Sequence, residues 1–225
     1  MICIEKKEYE ERISVLQKRM EEKGLDVFFC YGTEGSYRNL VYLADYHPVF
    51  EVGGILVGRQ GEPFILNATE SLKYAATNAW GIERVRTCRA FDHSENPVIN
   101  AGVCLRSLEE LLDEITQGKP VKRLGLGDYA EIPTPLYLEI KDSLPEEAEI
   151  INCDDIMQDM RMNKSDNEIA LIREACKVTE RAFVSALPKL APTMTQFEIQ
   201  GVFAEGLFRD GGKAPVSQWL LLQER

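Results

Sequence analysis

Histidine is nearly missing from this chain of 225 residues, which holds only His47 and His93. Two imidazoles so far apart, with no cysteine or second histidine at ligand spacing, do not supply the four ligands of a structural zinc site. The six cysteines, Cys3, Cys30, Cys88, Cys104, Cys153 and Cys176, include no C-x-x-C pair. Most lie in apolar runs such as Val27-Phe28-Phe29-Cys30, so they are expected as reduced, buried thiols with no disulfide framework. No run of about 18 apolar residues exists to span a membrane. There is no G-K-[ST] phosphate loop, and Gly125-x-Gly127 lacks the third glycine of the dinucleotide fingerprint, which leaves it a tight strand-to-helix turn. The G-x-S-x-G elbow and the H-E-x-x-H helix are absent as well. Basic charge is also short: 26 Lys+Arg face 37 Asp+Glu, a net of −11. A phosphate backbone is therefore a disfavoured partner, and neither nucleic acid nor membrane is expected.

What is present is ordinary for a globular protein, with 44% hydrophobic and 28% charged residues. The charge is uneven. Residues 1–159 hold 17 basic and 29 acidic side chains, whereas 160–225 hold 9 and 8. The change marks a boundary, so the expected domains are 1–159 and 160–225. The opening Met1-Ile2-Cys3-Ile4-Glu5-Lys6-Lys7 is charged where a secretory leader is apolar, and a cytoplasmic protein is expected.

Periodicity supplies the elements. Tyr9, Ile13, Leu16 and Met20 form one apolar stripe of a helix over 8–23, with Gly24 as its stop. Val27–Tyr31 is a strand buried on both faces. Residues 32–35 are a loop, and Asn39–Leu43 is a short apolar segment. Gly54–Gly58 and Pro63–Leu66 around a short glycine turn predict a β-hairpin. Helices are expected over 71–79, 98–116 and 133–144, and strands over 82–87, 123–127 and 149–153. Helices and strands thus alternate around one hairpin, which argues for an α/β domain with a mixed sheet. Beyond 160 the pattern is helical. Ser165-x-x-Glu168 and Thr195-x-x-Glu198 are capping boxes. The last apolar segment, Val216–Leu222, reads as a strand.

Few residues suggest chemistry. Asp154, Asp155 and Asp159 are three carboxylates close in sequence, read as a helix cap and a solvated face rather than a metal cluster. His93 reads as a surface loop residue. Asn67-Ala68-Thr69 and Asn163-Lys164-Ser165 match the glycosylation pattern, which a cytoplasmic chain leaves idle.

Taken in order, several segments resemble the creatinase/prolidase/aminopeptidase P family of pita-bread metallopeptidases. Glu8-Tyr9-x-x-Arg12-Ile13-x-x-Leu16 followed by Gly24-Leu25-Asp26-Val27-Phe28-Phe29 is similar to that family's first helix and strand. Asn39-Leu40-Val41-Tyr42-Leu43 resembles its N-x-x-Y-L-T-G segment, with Ala44-Asp45 in place of Thr-Gly. Lys164-Ser165-x-x-Glu168-Ile169-x-x-Ile172-Arg173 is similar to the linker and first catalytic-domain helix. Pro192-Thr193-Met194-Thr195-x-x-Glu198 resembles the start of the next helix. The resemblance implies a ribonuclease-H-like mixed α/β domain, then helices of a pita-bread domain that this chain does not complete. It also implies two divalent metal ions in a complete member, held by two Asp, one His and two Glu downstream of these helices. None of those positions falls within the chain, so no catalytic residue and no metal ligand is carried over.

The implied function is the N-terminal part of a metal-dependent hydrolase that cleaves a proline-containing peptide or a related small amide, inactive alone and acting as a homodimer. The alternative is a non-catalytic binding or assembly module derived from the same family. In the family, the loop after the N-x-x-Y-L segment approaches a partner's active site. That makes Tyr46, His47 and Phe50 the candidate substrate-pocket residues. The competing reading places Tyr46 and Phe50 in the core and His47 on a solvated turn beside Pro48.

Overall fold

The structure is a computed structural model that describes residues 3–49, 52–92 and 102–212. The chain divides into two compact units, one of Glu5–Asn163 and the other built on the segment from Lys164 onward.

In the first unit, helix α1 (Lys6–Glu22) buries Tyr9, Ile13, Leu16 and Met20, the stripe that the sequence spacing draws. It ends at Gly24, whose φ of +67° is a left-handed turn that a side chain would strain. Strand β1 (Val27–Thr33) follows, then a tight turn in which Thr33 and Ser36 exchange backbone hydrogen bonds. The short apolar segment after it is a helix, α2 (Arg38–Ala44). Strands β2 (Val52–Gly58) and β3 (Phe64–Asn67) pair antiparallel as the expected hairpin, with Ile55 opposite Ile65. Helix α3 (Leu72–Asn78) and a short strand β4 (Val85–Thr87) come next.

The helix expected over 98–116 is corrected to α4 (Leu108–Thr116). Ser107 and Glu110 form a capping box there, so the helix starts at a cap rather than where the apolar spacing begins. Residues 98–101 lie outside those described, as do Phe50, His93 and Val216–Leu222. Strand β5 (Arg123–Gly127), helix α5 (Thr134–Asp142), strand β6 (Glu149–Asn152) and helix α6 (Asp154–Met162) complete the unit.

The six strands form one sheet in the order β4-β3-β2-β1-β5-β6. The pairs β1–β2 and β2–β3 are antiparallel, whereas β3–β4, β1–β5 and β5–β6 are parallel. This is the mixed α/β sheet that the alternation of elements predicts. Side chains of β1 alternate between two cores, as strand geometry requires. Phe28 and Cys30 join Leu16, Leu40, Ile156 and Met157 on one face. Val27, Phe29 and Tyr31 join Phe91, Leu111 and Leu136 on the other. A sheet covered on both faces explains why β1 reads as an unbroken apolar run. Gly125 and Gly127 lie inside β5 rather than in a turn after it. A Cβ on Gly125 would lie 2.8 Å from Leu25 Cδ1.

The second unit holds α7 (Asp166–Ala186) and α8 (Gln196–Arg209), each opened by the capping box that its sequence predicts. The helices pack antiparallel. Gly206 meets Ala182, and Gly212 meets Val178. Phe183 and Phe203 rings lie 5.0 Å apart, and Arg181 pairs with Asp210 at 2.5 Å.

Candidate functional site

Strands β1, β3, β4, β5 and β6 run in one direction and β2 runs against them. Five carboxyl ends therefore share one edge of the sheet. From β1 the chain builds to one side through β2, β3 and β4, then returns to the other side of β1 with β5 and β6. In open α/β sheets the carboxyl edge at such a reversal is where ligands bind, because the connections diverge and leave a crevice. Here the reversal lies between β1 and β5.

Two buried polar residues meet at that point. Asp128 directly follows β5 with φ +61°, left-handed for a residue with a side chain, and is only 4% exposed. Asn39, in the first turn of α2, is buried, and its Nδ2 donates to Asp128 Oδ2 at 2.7 Å. Arg38 reaches Asp128 Oδ1 at 3.3 Å and donates to Glu131 at 2.5 Å. Asp154 accepts the Tyr129 backbone N–H at 3.0 Å. Burial pushes the Asp128 carboxyl up to about 6; Asn39 and Arg38 pull against that rise, while Glu131 and Asp154 add to it. A carboxyl with that affinity is a group able to exchange a proton near neutral pH.

Tyr46 and His47, two of the candidate pocket residues, lie along the same edge. Tyr46 is fully buried, and its hydroxyl donates to Asn67 Oδ1, at the end of β3, at 2.7 Å. Burial pushes its phenol up to about 12. The ring packs with Leu40, Leu43 and Ile55, so the structure places Tyr46 in the core. His47 is half-buried, and its ring meets that of Tyr37, the residue before α2, at 4.4 Å and a tilt of 53°. The turn between them is fixed. Asp45 takes φ +51°, and its N–H and that of Tyr46 return to Val41 and Leu40 carbonyls. Position 45 thus needs the left-handed conformation that glycine supplies in the Thr-Gly version of this segment, and aspartate tolerates it.

The other motif residues hold the fold. Arg12 is buried, donates to Glu8 at 2.5 Å and to the Tyr42 carbonyl at 2.7 Å, and lies 4.1 Å from the Tyr42 ring centroid. The Glu8-Tyr9-x-x-Arg12 and Asn39–Leu43 segments therefore brace each other.

The three carboxylates of α6 do not converge on a metal. Asp154 is held by Tyr129, Asp155 pairs with Lys23 at 2.5 Å, and Asp159 pairs with Arg19 at 3.4 Å. Asp154 and Asp155 occupy the first turn of α6, where their charge suits the helix dipole, and Cys153 holds the cap position. No group of three His, Cys, Asp or Glu suited to a metal ion occurs among the described residues. Those residues do not fit the two-metal centre that the resemblance implies. The expectation of buried thiols holds for Cys30, Cys88 and Cys153 and is corrected for Cys3, Cys104 and Cys176, which are exposed. Asn67 is fully buried, which closes its glycosylation pattern. No helix among the described residues is long and apolar enough to cross a membrane.

Tyr37, Arg38, Asp128 and Glu131 were not singled out by the sequence. Asp128 has one signal, an acid directly after a glycine-flanked strand, but its partner Asn39 lies 89 positions away.

The profile of the creatinase/prolidase N-terminal domain matches residues 12–163. Among curated proteins no sequence matches the chain. Solved structures do. The Pyrococcus horikoshii prolidase superposes with a TM-score of 0.65 at 18% identity over 89% of this chain and 49% of its own. An X-Pro aminopeptidase from Thermotoga maritima gives 0.66 at 18% over 88% and 49%. The dipeptidase PepE of Mycobacterium ulcerans gives 0.64 at 17% over 92% and 51%. The chain spans about half the length of these relatives. At such identities the superpositions speak for the fold, while the profile match covers well over half of the sequence. With its mixed sheet and its braced opening motifs, this chain belongs to the creatinase/prolidase N-terminal domain family.

Proposed function

We propose that this chain is the N-terminal portion of a metal-dependent hydrolase of the Xaa-Pro peptidase kind. Its substrate is a proline-containing peptide or a related small amide, and the metal ligands and the reacting groups lie outside the described residues. The match of the creatinase/prolidase N-terminal domain profile to residues 12–163 carries this reading. It is supported by structural likeness to a prolidase, an X-Pro aminopeptidase and a dipeptidase, each about twice the length of this chain.

Within that reading the chain contributes to a homodimer, and its α2–β2 loop closes the substrate pocket of the partner subunit. His47 is the contact residue. Its imidazole, backed by the Tyr37 ring at 4.4 Å, offers a flat face for a proline ring and a nitrogen for a peptide carboxylate. Tyr46 acts from beneath, by fixing the chain that carries His47.

The test uses the protein at its full natural length. His47→Ala should raise KM for an Xaa-Pro substrate several-fold, with a much smaller effect on kcat and no fall in Tm, the signature of a lost substrate contact. Unchanged kinetics, or a loss that tracks unfolding, rejects His47 as a contact. Absence of any Xaa-Pro hydrolysis by the metal-loaded protein rejects the substrate class.

A further inference from the structure

We propose that Asp128 is the positioning residue for the Tyr37–His47 ring pair: by accepting from Asn39 and facing Arg38, it fixes where α2 begins and therefore where the two rings meet. The use of that pair in catalysis rests on reading His47 as a substrate contact; the positioning itself does not.

The argument begins with what apolar packing leaves undetermined. Leu40, Leu43 and Ala44 bury one face of α2 and set its depth against the sheet. Apolar contacts are non-directional, so they tolerate a small roll or slide of a helix of seven residues. Its first turn has no side-chain cap of its own, because Tyr37 stands at the cap position. A hydrogen bond is directional, and the one from Asn39 Nδ2 to Asp128 Oδ2, at 2.7 Å, ties that first turn to the end of β5. Asn39 Oδ1 makes no hydrogen bond among the described residues, so Asp128 is the polar tether of this side chain there. Arg38, next in sequence, spans Asp128 and Glu131. The residue immediately before this doubly held pair is Tyr37, whose ring meets His47.

The tether costs stability, which sets it apart from filler. Asp128 adopts a left-handed φ of +61° and withdraws a carboxyl from water. A buried polar pair is weak evidence for stability, and apolar residues of similar volume fill such a space as well or better. What the pair adds is direction, at the one place where the strand order reverses. Tyr37 lies directly before the held residues, and His47 lies on the far side of α2. Residues 38 and 39 are held at one end, the left-handed turn at Asp45 returns the chain at the other, and Tyr37 and His47 close the loop.

The test is spectroscopic and uses this chain with labelled histidine rings. All spectra are taken at one fixed pH, and a His93→Gln variant assigns the His47 signals. The readout is the displacement of the His47 ring protons that Tyr37→Leu removes. Asp128→Ala and Asn39→Ala should each abolish most of that displacement while the methyl signals of Leu124 and Leu126 stay in place. Asp128→Asn still accepts from Asn39 Nδ2 and should retain it. A full displacement in folded Asp128→Ala overturns the proposal, as does a loss in Asp128→Asn equal to that in Asp128→Ala. If Asp128→Ala does not fold, Asn39→Ala alone decides: a retained displacement overturns the proposal. A kinetic arm at full natural length separates the two readings. Asp128→Ala should raise KM several-fold with kcat nearly unchanged, and Asp128→Asn should restore KM. If His47→Ala is kinetically silent, the substrate reading fails while the ring displacements still judge the positioning.

Discussion

Asp128 carries a carboxylate where the fold offers it little water, and this has a measurable pH signature. Its pKa rises from an ordinary 3.8 to about 6 in the folded chain. The native state therefore takes up the proton as pH falls through about 6, before the unfolded chain does. The stabilising contribution is fully present below 3.8 and is lost as pH rises through about 6. By linkage it amounts to roughly 2–3 kcal/mol. Asp128→Asn resembles the protonated form. Its Tm should match wild type near pH 4 and exceed it above about pH 6.5. A difference between the two that stays constant across that range would reject the raised pKa. Glu114 has the opposite sense. Arg86 donates to it and, with Arg106 and Arg84 nearby, holds its carboxyl below the ordinary value, so its contribution is lost as pH falls. Comparison of the variant with wild type at each pH isolates Asp128 from such groups. Arg12 makes a second residue-scale case. Arg12→Met keeps the apolar stem and removes the donor to Glu8 and to the Tyr42 carbonyl, both at part-buried sites. Urea unfolding should show a loss of about 3 kcal/mol, and a loss under about 1 kcal/mol would place this pair with ordinary surface ion pairs. The motif around Arg12 was legible in the sequence, whereas its meeting with Tyr42, 30 positions on, was not.

Elements were legible where their signals are local. The stripe of α1, the hairpin of β2 and β3 and the two capping boxes at Ser165 and Thr195 each lie within a few residues of sequence, and the structure has all of them. The reading went astray where local signals compete. Apolar spacing across 98–105 extended α4 backwards past the Ser107 cap. The short apolar segment Asn39–Leu43 carries too little periodicity to assign, and burial of Leu40, Leu43 and Ala44 decides for helix. The helix pair α7–α8 yields two predictions. A Cβ at Gly206 would lie 2.9 Å from Ala182 Cα, backbone that has no room to yield. Gly206→Leu should therefore separate the helices at a cost of about 1–3 kcal/mol, read as lost helical circular dichroism on heating. An unchanged melt would show that the close approach is dispensable. The same pair leaves Ile172, Phe183, Val184 and Phe208 more than half exposed. Few buried apolar contacts mean low local stability. Amide exchange should be faster across α7 and α8 than across β1 and β5, and equal protection in a monomeric sample would refute this.

At the scale of the whole molecule, the acidic surplus sits in residues 1–159. Hydrolysis of a peptide bond needs an activated water or an activated nucleophile. A metal would supply the first by lowering the pKa of bound water, but the described residues offer no group of three metal-binding side chains, and the acids of α6 are engaged with Tyr129, Lys23 and Arg19. Among the buried thiols a thiolate is withheld, because burial pushes Cys30 well above its ordinary value, Cys88 up to about 12 and Cys153 upward. Asp128 has the proton affinity of a general base, but its carboxylate is enclosed and already faces Asn39 and Arg38. The 225-residue chain alone should therefore hold no stoichiometric manganese, cobalt or zinc after dialysis and should cleave no Xaa-Pro dipeptide or tripeptide, with or without added metal. Elemental analysis and a release assay check both. Turnover above that of a mock purification, sensitive to a chelator, would mean that metal ligands are assembled within this chain and would overturn the division of labour proposed above. Turnover insensitive to a chelator but abolished in Asp128→Asn would instead move the chemistry to the carboxyl edge between β1 and β5.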